Sequence, residues 1–415
     1  MKKRVAELFA GVGGFRIGLE KLNTGWNFVY ANQWEPGKKV QYAFDCYVRH
    51  YGLNKQITNI DINKVTKSSI PDIELLVGGF PCQDYSVARS KAQGIVGKKG
   101  VLWWDIRDTI EAKSPPFILL ENVDRLLSSP GKKQRGRDFG MILYTLYQLG
   151  YGVQWRVINA ADYGFPQRRR RVFIFAYRKS TNYYNELLKI DSAESDEYKA
   201  MNKLITQKSV YNYTNSLPIK TTLTRQNTNV IDNYIDAKDF SDNFSFHFQS
   251  TGILVDNKIY TASYVPDYNG KKAVLNDILE DNVTDESLFL DSREGRLEKF
   301  QYLKGAKKIP RIDSNGFAYN YSEGGMAFPD PLDRPARTML TSEHSTNRST
   351  HVVSDKATGR LRLITPLEAE RIQTFPDNWT DGMPNSARYF VMGNALVCDL
   401  ISKIGEGVDE ILKKE

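Results

Sequence analysis

The sequence contains little cysteine and no long hydrophobic run, and these absences exclude several classes of protein. Only three cysteines occur among 415 residues, without the spacing of a disulfide framework or of a Cys-x-x-Cys zinc site. The absence of any run of about 18 uncharged apolar residues argues against a transmembrane helix. The first nine residues are too short and too acidic a stretch for a signal peptide. The four histidines lack metal-ligand spacing. We therefore expect a protein of a reducing cytoplasm, with no membrane association and no metal.

The composition is otherwise that of a globular protein. The apolar fraction is 41%, the charged fraction is 26%, and the length suffices for two or three domains. Lysine and arginine exceed aspartate and glutamate by 57 to 49, which gives a net charge of +8. A basic balance favours a polyanionic partner.

Strand and helix signals alternate through roughly the first 178 residues, as in a parallel sheet covered by helices on both faces. Apolar runs predict strands at residues 5–9, 28–31, 74–77, 117–121, 153–158 and 172–177. Helical spacing predicts helices at residues 15–22, 38–48, 104–112 and 140–149. We expect an α/β fold with a doubly wound, mostly parallel sheet and a smaller, loop-rich second domain.

The sequence changes character after Arg178. Residues 178 to about 335 are rich in Asn, Asp, Ser, Thr, Tyr and Lys, with strand-like pieces only at 252–255 and 258–262. After Arg360 helical signals return, and Pro366 is expected to open one helix and Gly393-Asn394-Ala395 a last one. The predicted domains are a catalytic and cofactor-binding domain at 1–178, a second domain at 179–355, and a segment at 356–415 that completes the first domain.

Two predicted strand ends carry reactive side chains. Pro81-Cys82-Gln83 follows the run at 74–77, and Glu121 ends the run at 117–121. Functional groups gather at the carboxyl ends of the strands in such a sheet, so Cys82 and Glu121 are predicted to share one crevice. Proline at position 81 would present the thiol rigidly. A thiolate nucleophile can add to an electron-poor heteroaromatic ring when a carboxylic acid donates a proton to that ring.

A glycine-rich turn, Phe9 to Gly14, follows the first predicted strand. Its glycines allow a tight turn and the close approach of a cofactor. They do not match the Gly-x-Gly-x-x-Gly spacing of dinucleotide-binding loops, which favours a nucleoside-type ligand without a pyrophosphate. The second strand ends in Gln33-Trp34-Glu35, where Gln33 or Glu35 is expected to hold ribose hydroxyls and Trp34 to stack on adenine.

Two polar stretches are expected near the site. Residues 86–100, beginning at Ser86, are predicted to form a loop that closes over substrate. Four consecutive arginines, Arg168 to Arg171, follow Gln167 and lead into the strand at 172–177. Because alternate strand residues point to opposite faces, Arg169 and Arg171 should share one face, with Arg168 and Arg170 on the other.

These segments, taken in order, resemble the DNA (cytosine-5)-methyltransferases of bacterial modification systems. The family pattern runs Phe-x-Gly-x-Gly-Gly, Pro-Cys-Gln, Glu-Asn-Val, Gln-x-Arg-x-Arg, a variable target-recognition domain, and a Gly-Asn segment. The matching segments of this chain are residues 9–14, 81–83, 121–123, 167–171, 178 to about 340, and 393–394. The chain departs from the pattern at Gln33, where many members have Glu, and at Met339 of Arg337-Thr338-Met339, where Leu is usual.

The resemblance implies methyl transfer to C5 of a cytosine that is flipped out of the duplex. It implies that Cys82 adds to C6, that Glu121 protonates or hydrogen-bonds N3, and that Arg171 binds O2 with support from Arg169. It implies S-adenosyl-L-methionine as the cofactor. The residues expected to bind it are Phe9, Gly11, Gly13, Gln33, Trp34, Glu35, Asp61, Ile62, Pro81 and Asn394. Those expected to contact DNA are Gln83, Ser86, Arg168 and Thr338.

The expected partner is double-stranded DNA, with residues 179–355 as the target-recognition domain. The protein is expected to be a monomer in the bacterial cytoplasm. A cognate restriction endonuclease would be its functional partner. An RNA cytosine-5 methyltransferase of the same fold and a non-catalytic DNA-binding regulator are the alternatives. The long middle region favours DNA over RNA, and the presence of both Cys82 and Glu121 favours an enzyme.

Overall fold

The computed structural model describes residues 2–80, 102–313 and 316–415, which fall into two compact units. The first unit comprises Met1–Tyr163, Arg170–Gly270 and Cys398–Glu415, and the second comprises Gly164–Arg169 and Lys271–Val397. These units divide the chain at other points than the predicted domain boundaries. Residues 179–270 belong to the first unit because strands within them extend its sheet. Which segment recognises DNA stays a prediction.

A large mixed sheet forms the centre of the first unit. Its strands are β1 (Arg4–Leu8), β2 (Asn27–Asn32), β3 (Ile57–Thr58), β4 (Leu75–Gly79), β5 (Phe117–Val123), β6 (Tyr151–Asn159), β7 (Arg170–Arg178), β8 (Thr224–Val230), β9 (Thr251–Val255) and β10 (Lys258–Ser263). Over the described residues their order is β3-β2-β1-β4-β5-β7-β6-β9-β10-β8. The neighbouring strands in the part β3-β2-β1-β4-β5 are parallel. All neighbouring strands in the part β5-β7-β6-β9-β10-β8 are antiparallel. The predicted α/β class is confirmed.

Helices surround this sheet and also occur in the second unit. They are α1 (Gly14–Glu20), α2 (Tyr42–Tyr51), α3 (Leu102–Lys113), α4 (Arg137–Gln148), α5 (Asn182–Ala193), α6 (Glu197–Gln207), α7 (Ala237–Asn243), α8 (Leu275–Ile278), α9 (Arg296–Lys304), α10 (Pro366–Ile372), α11 (Asn385–Asn394) and α12 (Cys398–Leu412). The four helices predicted before residue 150 are confirmed. Helices α5 to α9 lie in the stretch that the sequence suggested to be loop-rich. None of the helices within the described ranges has both the length and the apolarity needed to cross a membrane.

The central strands are buried on both faces, which explains their continuous apolar sequences. Phe117 to Leu120 of β5 are all buried, and Phe117 stacks on Phe175 of β7 with 5.7 Å between ring centroids. The helix α12 packs closely on α1, where a Cβ on Gly18 would lie 2.6 Å from the carbonyl oxygen of Cys398. The end of the chain is thereby part of the unit that holds the glycine-rich turn.

The second unit contains two small antiparallel sheets. One pairs β11 (Lys307–Ile312) with β12 (Ala318–Glu323), and the other pairs β13 (Val352–Ser354) with β14 (Leu361–Leu363). Helix α10 begins at Pro366 as predicted, and Thr365 caps it in a capping box with Glu368. The expectation that Gly393-Asn394-Ala395 opens the last helix is wrong. Helix α11 ends at Asn394, Ala395 is extended, and α12 begins at Cys398.

Candidate functional site

The carboxyl ends of β4 and β5 lie side by side in the first unit. Gly79 is the parallel partner of Glu121, and the amide of Asn122 donates to the carbonyl oxygen of Phe80 at 2.9 Å. Glu121 therefore lies beside the end of β4, two positions before Pro81. Four predicted site residues, Pro81, Cys82, Gln83 and Ser86, lie outside the described residues, as does the predicted loop at 86–100.

Glu121 and Arg171 form an ion pair at this edge of the sheet. The register pairs Val123 with Arg171 and Glu121 with Phe173, so Arg171 is the diagonal neighbour of Glu121 on one face. The Arg171 Nε atom is 2.8 Å from a Glu121 carboxylate oxygen, and only 18% and 13% of the two side chains are exposed. A charged hydrogen bond largely removed from water fixes the orientation of both groups. The carboxyl and guanidinium predicted for the site are thus brought together.

Burial alternates along the arginine run, but β7 begins at Arg170, so Arg168 and Arg169 precede the strand and the predicted shared face of Arg169 and Arg171 stays a prediction. Arg168 and Arg170 are exposed, Arg169 is buried and Arg171 is mostly buried. Within the second unit, the Arg169 guanidinium donates to the carbonyl oxygen of Met339 at 3.3 Å and to that of Gly393 at 3.1 Å. Arg169 therefore joins two backbone segments that are distant in sequence.

The segment that contains Thr338 is fixed against the start of the arginine run. Gln167 pairs with Ala336 in an isolated bridge, and its side-chain oxygen accepts from the N–H of Met339 at 3.1 Å. The Thr338 hydroxyl donates to the carbonyl oxygen of Arg168. The role of Gln167 was not foreseen from its residue type, although it stands first in the Gln-x-Arg-x-Arg pattern.

Gly393 allows a close approach in the same unit. A Cβ at this position would lie 2.4 Å from the backbone nitrogen of Thr341. The next residue, Asn394, is exposed at the end of α11. The Gly-Asn segment therefore places an exposed amide directly after a tightly packed glycine.

The glycine-rich turn in the first unit needs its glycines. Gly11 and Gly13 have φ values of +56° and +88°, which L-residues with side chains rarely adopt. A Cβ on Gly13 would lie 3.0 Å from the Tyr51 ring, whereas one on Gly11 would meet nothing within 4 Å. The turn is thus supported by aromatic packing under Gly13 and leaves space beside Gly11.

The ends of β2 and β3 hold the predicted cofactor residues near this turn. The Gln33 side-chain oxygen accepts from the N–H of Gly11 at 2.8 Å. Asn32, whose role the sequence did not reveal, donates to the hydroxyl of Thr58 at 3.0 Å and to the carbonyl oxygen of Ile60 at 2.9 Å. These bonds tie the end of β2 to the turn on one side and to the segment that leads into Asp61 on the other.

The donor set at this edge fits an adenosyl cofactor. Trp34 is 37% exposed, which leaves ring surface for stacking on a base. Ile62 is buried beside the partly exposed Asp61, whose carboxylate accepts from the N–H of Asn63 at 3.1 Å. Burial raises the pKa of Glu35, and Lys38 opposes that effect. A stacking ring, carboxylates and the open space at Gly11 suit a base, ribose hydroxyls and an ammonium group.

Glu7, a residue that sequence reasoning missed, lies in β1 just before the turn. It is 1% exposed, and the Tyr47 hydroxyl donates to its carboxyl group at 3.1 Å. Arg16 in turn donates to the Tyr47 hydroxyl at 3.4 Å. Burial raises the pKa of Glu7 to about 8, against the opposing effects of Tyr47 and Arg16. The available signal was an acid inside the apolar run Val5-Ala6-Glu7-Leu8.

No cluster of three or more His, Cys, Asp or Glu side chains is arranged to hold a metal ion within the described ranges. The side chains of Cys46 and Cys398 are buried and form no disulfide with each other. Burial raises the pKa of Cys398 well above its ordinary value, so this thiol stays protonated and unreactive at neutral pH.

A family model described as "C-5 cytosine-specific DNA methylase" matches residues 3–410. The chain belongs to this family. Membership confirms the resemblance carried by the motifs. The match runs through both compact units and through the variable middle of the chain.

Named relatives agree with this membership. The chain is 48% identical over 415 residues to the type II methyltransferase M.Sau3AI of Staphylococcus aureus, covering 99% of this chain and 96% of the relative. It is 34% identical over 182 residues to the type II methyltransferase M.HhaI of Haemophilus parahaemolyticus, covering 44% of this chain and 51% of that one.

Solved structures support the fold. The crystal structure of the S. pombe Dnmt2 methyltransferase matches with a TM-score of 0.60 at 15% identity, covering 99% of this chain and 98% of that one. The Entamoeba histolytica methyltransferase EhMeth matches with a TM-score of 0.54 at 15% identity, covering 99% of each chain. At this level of identity the likeness shows the fold alone.

Proposed function

We propose that this protein methylates C5 of a cytosine within a short specific sequence of duplex DNA. The observation that carries the proposal is the Glu121–Arg171 ion pair at the edge of the sheet where β4 leads into Pro81-Cys82. Family membership supplies the reaction class. The paired side chains offer a carboxyl group and a guanidinium to one heteroaromatic ring.

Cytosine C5 is a poor nucleophile, and the chain's own groups must raise its reactivity. The Cys82 thiolate adds to C6 and forms a carbon–sulfur bond, while Glu121 holds a proton at N3 and draws electron density from the ring. Arg171 binds O2 and orients Glu121 through the ion pair. After methyl transfer, loss of the C5 proton and departure of the Cys82 thiolate restore the aromatic ring. The target base must leave the stack to reach these groups.

S-adenosyl-L-methionine supplies the methyl group when it is bound. Phe9, Gly11 and Gly13 would form its backbone platform, Trp34 and Ile62 would contact the adenine, and Asp61 would accept from the exocyclic amine. Gln33 fixes the turn through Gly11, and Gln33 and Glu35 are the two candidates for the ribose hydroxyls. We assign Pro81 and Asn394 to the same cofactor, and we assign Arg169 the positioning role that its two carbonyl contacts support.

Double-stranded DNA is the partner that the basic net charge and the family favour. Exposed Arg168, together with Gln83, Ser86 and Thr338, would contact the duplex. The name of the 48% identical relative supports a role in a type II restriction-modification system, in which methylation protects DNA from a cognate endonuclease. We propose a monomer that acts in the bacterial cytoplasm.

Base-resolution conversion sequencing tests the proposal. Unmethylated plasmid is incubated with the protein and S-adenosyl-L-methionine, and the nucleosides of the treated DNA are identified by mass spectrometry. We expect protection of one cytosine within one short sequence, and 5-methyldeoxycytidine as the product. Cys82→Ala should abolish protection and leave cofactor binding intact. Full activity of the Cys82→Ala variant would contradict the covalent adduct. Methyl transfer to RNA instead of DNA, in a parallel reaction with labelled S-adenosyl-L-methionine, would favour the RNA enzyme.

A further inference from the structure

The sheet formed by β11 and β12, here called the ribbon, exposes large apolar side chains. Ile312 is 73% exposed, and Phe317, which directly precedes β12, is 69% exposed. Exposed apolar groups gathered in one place mark interaction surfaces. We propose that the ribbon reads base edges in the major groove of duplex DNA, an inference that rests on the proposed function.

The register divides the ribbon into two faces. Directly paired residues of antiparallel strands lie on the same face. Lys308 pairs with Ser322, Pro310 with Asn320, and Ile312 with Ala318. All six residues of this outer face are exposed.

The outer face carries groups that distinguish base pairs. An asparagine such as Asn320 can bond to adenine N6 and N7 at once, and apolar groups such as Ile312 and Ala318 suit the thymine methyl group. Lys308 suits a guanine edge or a phosphate. A two-stranded ribbon also has the dimensions to enter the major groove, which is roughly 12 Å wide.

The inner face is occupied by contacts within the ribbon. The Arg311 guanidinium lies 3.9 Å from the centroid of the Tyr321 ring, and the Tyr321 hydroxyl donates to Glu323 at 2.8 Å. Lys307 also pairs with Glu323 at 3.3 Å. These contacts stiffen the ribbon and engage the charged groups of the inner face, where Arg311 and Tyr319 are also exposed. The outer face presents Lys308 and Asn320, which make no such contacts among the described residues.

Arg348 anchors the base of the ribbon. Its guanidinium donates to the carbonyl oxygen of Leu303 at 2.8 Å, approaches Glu323 at 3.3 Å, and also donates to the carbonyl oxygen of Gly324. The chain entering β11 and the chain leaving β12 are therefore held by one side chain. The ribbon has a fixed base and an exposed outer part.

The same network connects the ribbon to the arginine run. Lys304 donates to the carbonyl oxygen of Thr350 at 2.7 Å, and Arg337 donates to the same oxygen at 3.2 Å. The neighbour of Arg337, Thr338, donates to Arg168. A segment that reads bases must be held at a defined position relative to the other groups that bind DNA. These contacts hold the ribbon relative to Arg168, which is a predicted DNA contact.

Two features favour DNA over another protein chain as the occupant. Pro310 lacks a backbone N–H, and proline on an exposed edge discourages the addition of a further strand. Lys308 makes no ion pair among the described residues, so its charge is available for a polyanion. The net charge of +8 agrees with such a partner.

The test compares Asn320→Ala and Lys308→Ala with Asn385→Ala and Lys55→Ala, which remove exposed residues of the same types outside residues 179–355. The readouts are kcat/KM for methyl transfer to plasmid DNA, the distribution of methylated sites, and KM for S-adenosyl-L-methionine. We expect Asn320→Ala to lower kcat/KM at the preferred sequence by about 5- to 150-fold, the range for one bidentate base contact. Sites that differ by one base pair should gain in relative share, with KM for the cofactor unchanged.

For Lys308→Ala we expect weaker DNA binding with a shallower salt dependence, by about one unit of slope if it contacts a phosphate. The two control variants should match the unaltered protein, and thermal melting checks that all four variants are folded. Unchanged rates and site preference in both ribbon variants would overturn the inference. Failure of the unaltered protein to methylate any duplex DNA would instead overturn the proposed function, and transfer to RNA would overturn both.

Discussion

For the chemistry we propose, the placement of Glu121 matters more than any unusual property of its side chain. Its carboxyl group is oriented by Arg171 at 2.8 Å, and its backbone pairs with Gly79 at the end of the strand that leads to Cys82. An ionised partner and partial burial restrict the rotamers of both side chains. The carboxyl group and the guanidinium that we propose for the reaction are thus held in a fixed relation.

Glu121→Gln should lower the rate of methyl transfer by about 10²- to 10⁴-fold, the usual contribution of a positioned acid or base. The amide can neither give up a proton to N3 nor keep its charge pairing with Arg171. Single-turnover transfer to DNA measures the rate, and calorimetry measures cofactor affinity, which should not change. The matched control is Glu111→Gln, which breaks an exposed ion pair with Arg107. Equal rates for both variants would contradict the role of Glu121.

Glu7 predicts a pH dependence of stability. The unfolded chain releases this proton near its ordinary pKa of 4.5, whereas the folded protein keeps it until about pH 8. Between these values the folded state binds one more proton than the unfolded state, so the stability falls as the pH rises. The full effect has an upper bound of about 4 to 5 kcal/mol.

Glu7→Gln should remove this dependence, since an amide does not titrate but still accepts from the Tyr47 hydroxyl. Urea unfolding at a series of pH values between 5 and 8 measures it, with exposed Glu298→Gln as the control. A slope in the Glu7→Gln variant as steep as in the unaltered protein would show that Glu7 is already ionised in the folded state.

At the scale of elements, the glycine-rich turn is supported by contacts from the end of β2 and from α2. Gln33 at the end of β2 bonds to Gly11, and α2 supplies the Tyr51 ring that packs under Gly13. The conformation of the turn thus depends on β2 and α2 as well as on its own glycines. A change beneath the turn should therefore alter cofactor affinity without touching the cofactor.

Gly13→Ala and Gly25→Ala make a matched pair that separates strain from steric contact. Both glycines have nearly the same φ, +88° and +89°, so each alanine should cost roughly 1 to 2 kcal/mol in strain. Only Gly13 has a neighbour in the way, since a Cβ on Gly25 meets nothing within 4 Å. Calorimetry should show weaker S-adenosyl-L-methionine binding for Gly13→Ala alone. Equal affinities in the two variants would mean that the turn does not support the cofactor.

At the scale of the whole molecule, the sequence predicts the local elements of the sheet better than its extent. The first six predicted strands are confirmed because β4, β5 and their neighbours are buried apolar runs. Strands β9 and β10 were recognised locally, but pairing of Gln154 with Ile253 joins residues about a hundred positions apart, and no local pattern specifies it. Helices α5 and α6 were missed because Asn, Lys and Tyr interrupt their apolar spacing.

In the candidate site, too, local motifs were predicted from the sequence, whereas contacts between distant segments were not. Glu121 and Arg171 were each predicted as site residues because their motifs name them, but their mutual contact was not predicted and appears only in the structure. The roles of Gln167 and Arg348 depend on backbone carbonyls that only the folded chain brings near them. Glu7 was missed because its burial depends on α2 covering β1. Sequence motifs therefore indicate the reacting groups, and the folded chain shows what holds them.

The most direct test of the central claim is covalent trapping of Cys82. A duplex that carries 5-fluorocytosine at the methylated position is incubated with the protein and S-adenosyl-L-methionine, then denatured and analysed by mass spectrometry. Fluorine cannot leave C5 as a proton does, so the carbon–sulfur bond should persist and peptide mapping should locate it at Cys82, with no complex for Cys82→Ala. A linkage to another residue, or methyl transfer without any trapped complex, would contradict the account.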